Sequence, residues 1–421
     1  MSSSNAEIKP RVAVTAGLRG SAWNSKRMAA KPYTTVPHLM PTEDGAGVMG
    51  FLFSRGDEKR AVLAMHPREL VMAHYLVPDV LDAGWAFWAQ APRSVGNDLR
   101  LEHELALHDV AAGMRQLKKL GFEQIVLLGN SGGAGLLTFY QQQALAAPEK
   151  RIARTPGGRP SKLEKANLPP ADGILLVSPH PGQGILLLNA LDPSITDEAD
   201  AFSTEPSLDP FNSANGFRRP PESAHYSPEF VEKYRLAQHA RCEKLDERAR
   251  SAIAEKRAAL VRLKEKPNKR DKLLSAYAPI FQVWRTDADL RCWDTSLDPS
   301  DRLVGTLWGA DPVVSNLGSI GFARNVTPES WLSTWSGLSS NASLSKCVSD
   351  IEQPVLLIEY TGDNCVFPSD VKTIFNGLRS TNKRHERVRG NHHGLPLAEG
   401  DPSGQVVAGQ LIQEWLKATF N

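Results

Sequence analysis

The chain has 421 residues, 41% of them hydrophobic and 23% charged, with 49 Lys and Arg against 47 Asp and Glu. These proportions exclude a disordered, collagen-like or disulfide-stapled chain, and a net charge of +2 gives no reason to expect nucleic acid as a partner. Domains run to roughly 100–200 residues, so the length implies two or three units or one core with a large insertion.

Cys242, Cys292, Cys347 and Cys365 have neither a C-x-x-C pair nor Cys/His ligand spacing, so no disulfide framework and no metal site is expected. The first residues lack the apolar run of a signal peptide, and no stretch of ~18 uncharged apolar residues occurs anywhere. A cytoplasmic protein with no membrane partner is the expectation.

Residues 1–44 are assigned to an N-terminal arm, polar and without sustained period as far as about residue 35. Between 36 and 66 come short apolar runs broken by Glu43-Asp44-Gly45 and Arg55-Gly56-Asp57, the signature of strands joined by turns. Strand and helix then alternate. A helix over 69–83 precedes a strand over 85–89, a helix over 101–120 precedes 124–128, and a helix over 135–146 precedes 173–177. Such alternation implies right-handed βαβ units and a parallel sheet. It breaks at about 180 and resumes with a strand over 354–360, a helix over 369–378, a short strand near Arg387 and Val388, and a last helix over 404–419.

Within the interruption, residues 229–272 read as one charged helix with 14 Lys and Arg against 8 Asp and Glu, a solvated face with an apolar stripe through Tyr234, Leu245, Ala249, Ile253, Leu260 and Leu263. Arg285, Asp287, Asp289 and Arg291 alternate too closely for a metal site and read as salt-bridged surface.

The strongest chemical signal is Gly129-Asn130-Ser131-Gly132-Gly133, a G-x-S-x-G sequence between an apolar strand and a helix. A nucleophile on a sharp strand-to-helix turn needs flanking glycines for the tight backbone, and the helix N-terminus favours developing negative charge. A hydroxyl also needs a base and a group that orients the base. Asp363 follows the 354–360 strand at its carboxyl end, where sites of open α/β sheets lie. Its rivals are Glu359, inside the strand, and Asp370, which opens the next helix. The base falls in Gly390-Asn391-His392-His393-Gly394, giving the order Ser, Asp, His. The G-x-x-H spacing from Gly390 favours His393, whereas a small polar residue before and a ring after favour His392; His392 is placed first with His393 as the alternative. His103 and His108 are read as structural or solvated.

Acyl transfer also needs two N–H donors for the oxyanion, each worth roughly 3–4 kcal/mol. Gly132, after the nucleophile, is one. In the loop after the third strand Pro67 has no N–H, which leaves the main chain of Arg68 for the other, with His66 lining the pocket.

Over residues 45–180 and 350–421 the chain resembles α/β-hydrolase fold enzymes, on its elbow, its Gly362-Asp363 turn and its 390–393 loop. It departs in having His66-Pro67-Arg68 where a His-Gly pair is usual, and in the length of its insertion. The resemblance implies an α/β fold with a mostly parallel central sheet and a large, mainly helical cap domain over 181–349, inserted between strands 6 and 7. It further implies a serine hydrolase of a carboxylic ester or lactone that requires no cofactor and takes a small-molecule substrate. An amidase or C–C bond hydrolase on the same triad, or a non-catalytic receptor of this fold, are the alternatives. Five of nine tryptophans, Trp284, Trp293, Trp308, Trp331 and Trp335, lie in the insertion. They suggest either a roof, with Trp284 in the substrate site, over a bulky cyclic or aromatic substrate, or the insertion's own core. The insertion also offers a surface for a homodimer.

Overall fold

The computed structural model describes residues 27–96, 98–318 and 321–420. Eight strands form one sheet: β1 (Thr34–Pro41), β2 (Gly47–Ser54), β3 (Arg60–Met65), β4 (Ala86–Gln90), β5 (Gln124–Asn130) and β6 (Gly173–Val177), then, after two short insertion strands β7 (Phe281–Gln282) and β8 (Asn325–Val326), β9 (Val355–Tyr360) and β10 (Lys383–Val388). Their order across the sheet is β1-β2-β4-β3-β5-β6-β9-β10. The β1–β2 and β2–β4 pairs are antiparallel and every other pair is parallel.

The parallel strands are apolar on both faces because helices cover both. Along β3, Ala61, Leu63 and Met65 join one cluster with Trp88, Leu107, Val110, Leu127 and Leu137. The alternate residues Val62 and Ala64 join the opposite cluster with Phe87, Val126, Leu356, Ile412 and Trp415. The first face is covered by α2 (His103–Lys119) and α3 (Gly132–Leu145), the second by α1 (Val77–Asp82) and α12 (Gly404–Thr419). Helix α11 (Pro368–Gly377) links β9 to β10.

Two expectations from the sequence change here. The arm shortens, because Thr34–Pro41 pairs with β2 as the sheet's edge strand; residues 1–26 lie outside the described part. The helix expected over 69–83 shrinks to α1. Pro78 sits in the first turn, where a missing N–H costs nothing. Upstream the chain runs in separate turns, with His74 N–H bonded to the Val71 carbonyl and Leu76 N–H to His74 Nδ1.

The region between β6 and β9 is mainly helical: α4 (Gln183–Ala190), α5 (Pro228–Glu265), α6 (Lys269–Ala276), and the short α7 (Leu290–Trp293), α8 (Pro312–Leu317), α9 (Pro328–Ser330) and α10 (Leu344–Cys347). The charged segment is two helices, because Pro267 cannot continue the first. The Ser227 hydroxyl caps α5, the Asn268 side chain caps α6, and Arg262 pairs with Asp271 at 2.6 Å across the joint. Tyr234, Leu245, Ala249 and Ile253 are buried along α5, whereas Leu260 is exposed.

The alternating charges at 285–291 are ion-paired but not at the surface. Arg285, Asp287 and Asp289 are buried, with Arg285 on Asp192 and Arg291 on Asp289. Neighbouring insertion loops cover them, and their polar atoms are satisfied by one another and by Thr306 and Ser194.

The insertion contributes to two apolar clusters: one, with Tyr226, Tyr234, Leu290 and Trp293, is built from insertion residues around Phe367, and the other is continuous with the core of the sheet. Leu187, Leu245, Ile253, Trp331 and Trp335 share one cluster with Ala134, Ile174, Leu176, Val355 and Leu357. Trp331 is fully buried there, its indole N–H bonded to Asp246 at 2.8 Å. No helix among the described residues is long and apolar enough to cross a membrane. A shared core predicts one cooperative urea transition in which tryptophan fluorescence and far-UV circular dichroism coincide. Trp331→Ala lowers the stability read from that transition by about 3–5 kcal/mol, and separate transitions for the two signals contradict the shared core.

Candidate active site

β5 ends in Asn130, and Ser131 turns the chain into α3 at φ 54° and ψ −122°. A side chain in that region is strained and is held by its surroundings. The Ser131 N–H bonds the Val177 carbonyl of β6 at 3.0 Å. The flanking glycines are steric necessities: a Cβ at Gly129 would lie 2.5 Å from Cα of Ala134, and one at Gly133 would lie 2.5 Å from the Met65 carbonyl oxygen. Asn130 is fixed by donating to the Val177 carbonyl and accepting from His74.

The loops after β9 and β10 bring Asp363 and His392 to Ser131. Gly362 N–H bonds the Gly390 carbonyl at 2.9 Å, which ties the turn after β9 to the loop after β10. Asn391 Oδ1 accepts the N–H groups of His393 and Leu395 and shapes that loop. His392 Nε2 then stands 2.9 Å from Ser131 Oγ, and its Nδ1 stands 2.8 Å from Asp363 Oδ2. Asp363 is 1% exposed, and its Oδ1 also accepts the N–H groups of Cys365 and Val366. With the Nδ1 proton donated to the carboxylate, Nε2 is unprotonated and accepts the serine hydroxyl.

The rivals lie elsewhere. Glu359 pairs with His385 and Arg387, and Asp370 accepts the Phe367 N–H and pairs with Arg291. The His393 ring packs edge-on against His392, with centroids 5.0 Å apart. His103 and His108 are both buried and hydrogen-bonded, His103 to Ser333 and His108 to the Ser161 carbonyl.

The strands now form an ordered frame: antiparallel second strand, serine elbow after the fifth, acid after the seventh in the sheet and histidine after the last. This is the α/β-hydrolase fold. No family model matches the sequence, and no curated protein matches it. Among solved structures, an esterase of Pyrococcus furiosus is similar at 11% identity, covering 94% of this chain and 98% of that one with a TM-score of 0.43. An α/β hydrolase of Penicillium is similar at 14% identity, covering 92% and 99% with a TM-score of 0.47. A monoacylglycerol lipase of Paleococcus ferrophilus is similar at 14% identity, covering 92% and 100% with a TM-score of 0.37.

Within this hydrolase fold the cleft at Ser131 is lined by His66, Arg68, His180, Gln183, Leu186, Leu307, Phe322 and Cys365. Two sequence assignments change. Trp284 is not among the lining residues; its ring lies against the Arg324 guanidinium, while Trp293, Trp331 and Trp335 are core residues. Arg68 lines the cleft, but its main-chain N–H is directed to His66 Nδ1 at 3.2 Å and its guanidinium is bound bidentately to Asp98.

Ser178 and His180 are additional site residues. Ser178, at φ 48°, donates its hydroxyl to Asp363 and lies 3.2 Å from His392 Nδ1. His180 is 3% exposed, and burial, with His392 and His66 nearby, pushes it down to about 3. Both follow β6, the strand beside the elbow strand, and that adjacency is the signal that identifies them.

Burial likewise pushes His74 and His103 down to about 4, because the interior disfavours the charged ring. Since the folded values lie below the ordinary 6.5, the stability these rings contribute is complete above about pH 6.5. It is lost as pH falls toward 4, at up to about 1.4 kcal/mol per unit for each ring. Carbon-detected NMR of labelled imidazoles should show His74 and His103 still neutral at pH 5; midpoints near 6.5 contradict this.

Proposed function

We propose that the protein is a serine hydrolase that cleaves a carboxylic ester or lactone through an acyl-enzyme on Ser131. One observation carries the reading: an unbroken hydrogen-bonded series from Ser131 Oγ through His392 to Asp363, at 2.9 and 2.8 Å. His392 takes the hydroxyl proton as Ser131 attacks the carbonyl carbon, and Asp363 stabilises the resulting imidazolium. Collapse of the tetrahedral intermediate expels the alcohol, which receives that proton from His392. A water, deprotonated by the same ring, then releases the acid and restores the hydroxyl. Gly132 N–H, at the start of α3, supplies one oxyanion donor.

Leu186, Leu307, Phe322 and Cys365 give the cleft an apolar wall, and Arg68 is neutralised by Asp98. These features support an uncharged, apolar substrate; Phe322 supports an aromatic or cyclic one. Leu307 and Phe322 come from the insertion, which supports its reading as a cap that shapes access.

Hydrolysis of p-nitrophenyl esters tests the proposal. Ser131→Ala and His392→Ala should each lower kcat by about 10⁴–10⁶-fold, and Asp363→Asn by about 10⁴-fold, with unchanged circular dichroism. Turnover retained by Ser131→Ala rules the nucleophile out.

A further inference from the structure

Gly132 is flanked by two imidazoles. A Cβ there would lie 2.8 Å from Nε2 of His66 and 3.2 Å from Nε2 of His180. Both rings line the cleft that contains Ser131, and both are buried. Their other nitrogens are engaged as acceptors: His66 Nδ1 takes the N–H groups of Arg68 and Glu69, and His180 Nδ1 takes the Gly182 N–H, all at 3.2 Å. A neutral imidazole carries one proton, so a ring that accepts at Nδ1 carries it on Nε2. The tautomers are thus set by the backbone, and each ring directs an Nε2–H donor to the side of Gly132.

The loop after β3 offers little else. Pro67 has no N–H, and the Arg68 N–H is spent on His66. We propose that His66 and His180 are oxyanion donors: their Nε2–H groups, beside Gly132 N–H, bind the negative oxygen of the tetrahedral intermediate formed on Ser131. The proposal rests on Ser131 being the nucleophile. No proton is transferred; each ring keeps its hydrogen and shares it with the oxygen while charge is present. Fixed donors in a buried cleft act more strongly on a developing charge than on a neutral carbonyl, so they raise kcat more than they lower KM. A neutral His180 fits this role, because the ring stays a single-proton donor across the working pH range.

The test uses the full-length enzyme with p-nitrophenyl butyrate, phenylboronic acid and a fluorophosphonate. Removing the donor in His66→Met or His180→Met should lower kcat by about 100-fold or more while KM changes little. Affinity for phenylboronic acid, which forms a tetrahedral anionic adduct with the serine, should fall in step. His66→Gln and His180→Gln, whose amide N–H reaches close to the Nε2 position, should recover most of the loss. The assignment is overturned if both Met variants keep kcat and boronate affinity, or if neither Gln variant restores them. End-point fluorophosphonate labelling separates the two readings. Unlabelled Ser131 in the wild type removes the nucleophile itself, whereas full labelling with unaffected Met variants removes only the imidazole donors.

Discussion

A serine held at φ 54° between a buried strand and a helix is the constraint on which the site depends. Such a conformation persists only where neighbours over-determine it. Here the neighbours are the Ala134 backbone packed on Gly129, the Met65 carbonyl packed on Gly133, and the Val177 carbonyl that accepts the Ser131 N–H. Each of these contacts comes from α3, β3 or β6, so the turn is clamped by the middle of the sheet. The hydroxyl is thereby aimed at Nε2 of His392.

Parallel order does the rest. Because β3, β5, β6, β9 and β10 run the same way, their carboxyl ends deliver His66, Ser131, Ser178 with His180, Asp363 and His392 to one edge. His66 and His180 line the cleft that holds Ser131, His392 bonds its hydroxyl, and the partners of the rings differ. His392 faces the Asp363 carboxylate, whereas His180 accepts the Gly182 N–H and is kept neutral by burial. The insertion adds Leu307 and Phe322 to the cleft wall, and one of its two apolar clusters is continuous with the core of the sheet.

Much of this was legible in the sequence, and the remainder was not for definable reasons. The elbow could be read because strand, glycines, serine and helix are contiguous, and Asp363 and His392 because each follows its strand immediately. Asn391 before it and a ring after it distinguish His392 from His393 in the sequence, and both neighbours shape the loop. Ser178 and His180 depend on β6 lying next to β5, a fact of sheet order that no local pattern carries. Elimination of Pro67 points to Arg68, but the direction of the Arg68 N–H is set by the His66 ring. Aromatic content alone leaves a cavity roof and a core equally open for the insertion's tryptophans, and burial decides for the core at Trp293, Trp331 and Trp335. The long charged helix was cut by Pro267, a local rule that a periodicity reading overrode.

Covalent catalysis at Ser131 is the claim that joins these observations. Rapid-quench mass spectrometry during turnover of a slowly deacylated p-nitrophenyl ester tests it most directly. The account predicts an adduct with the mass of the acyl group on the peptide containing Ser131, appearing with the burst of p-nitrophenol and decaying as acid is released. Turnover without that adduct, or with the acyl group on another residue, contradicts it.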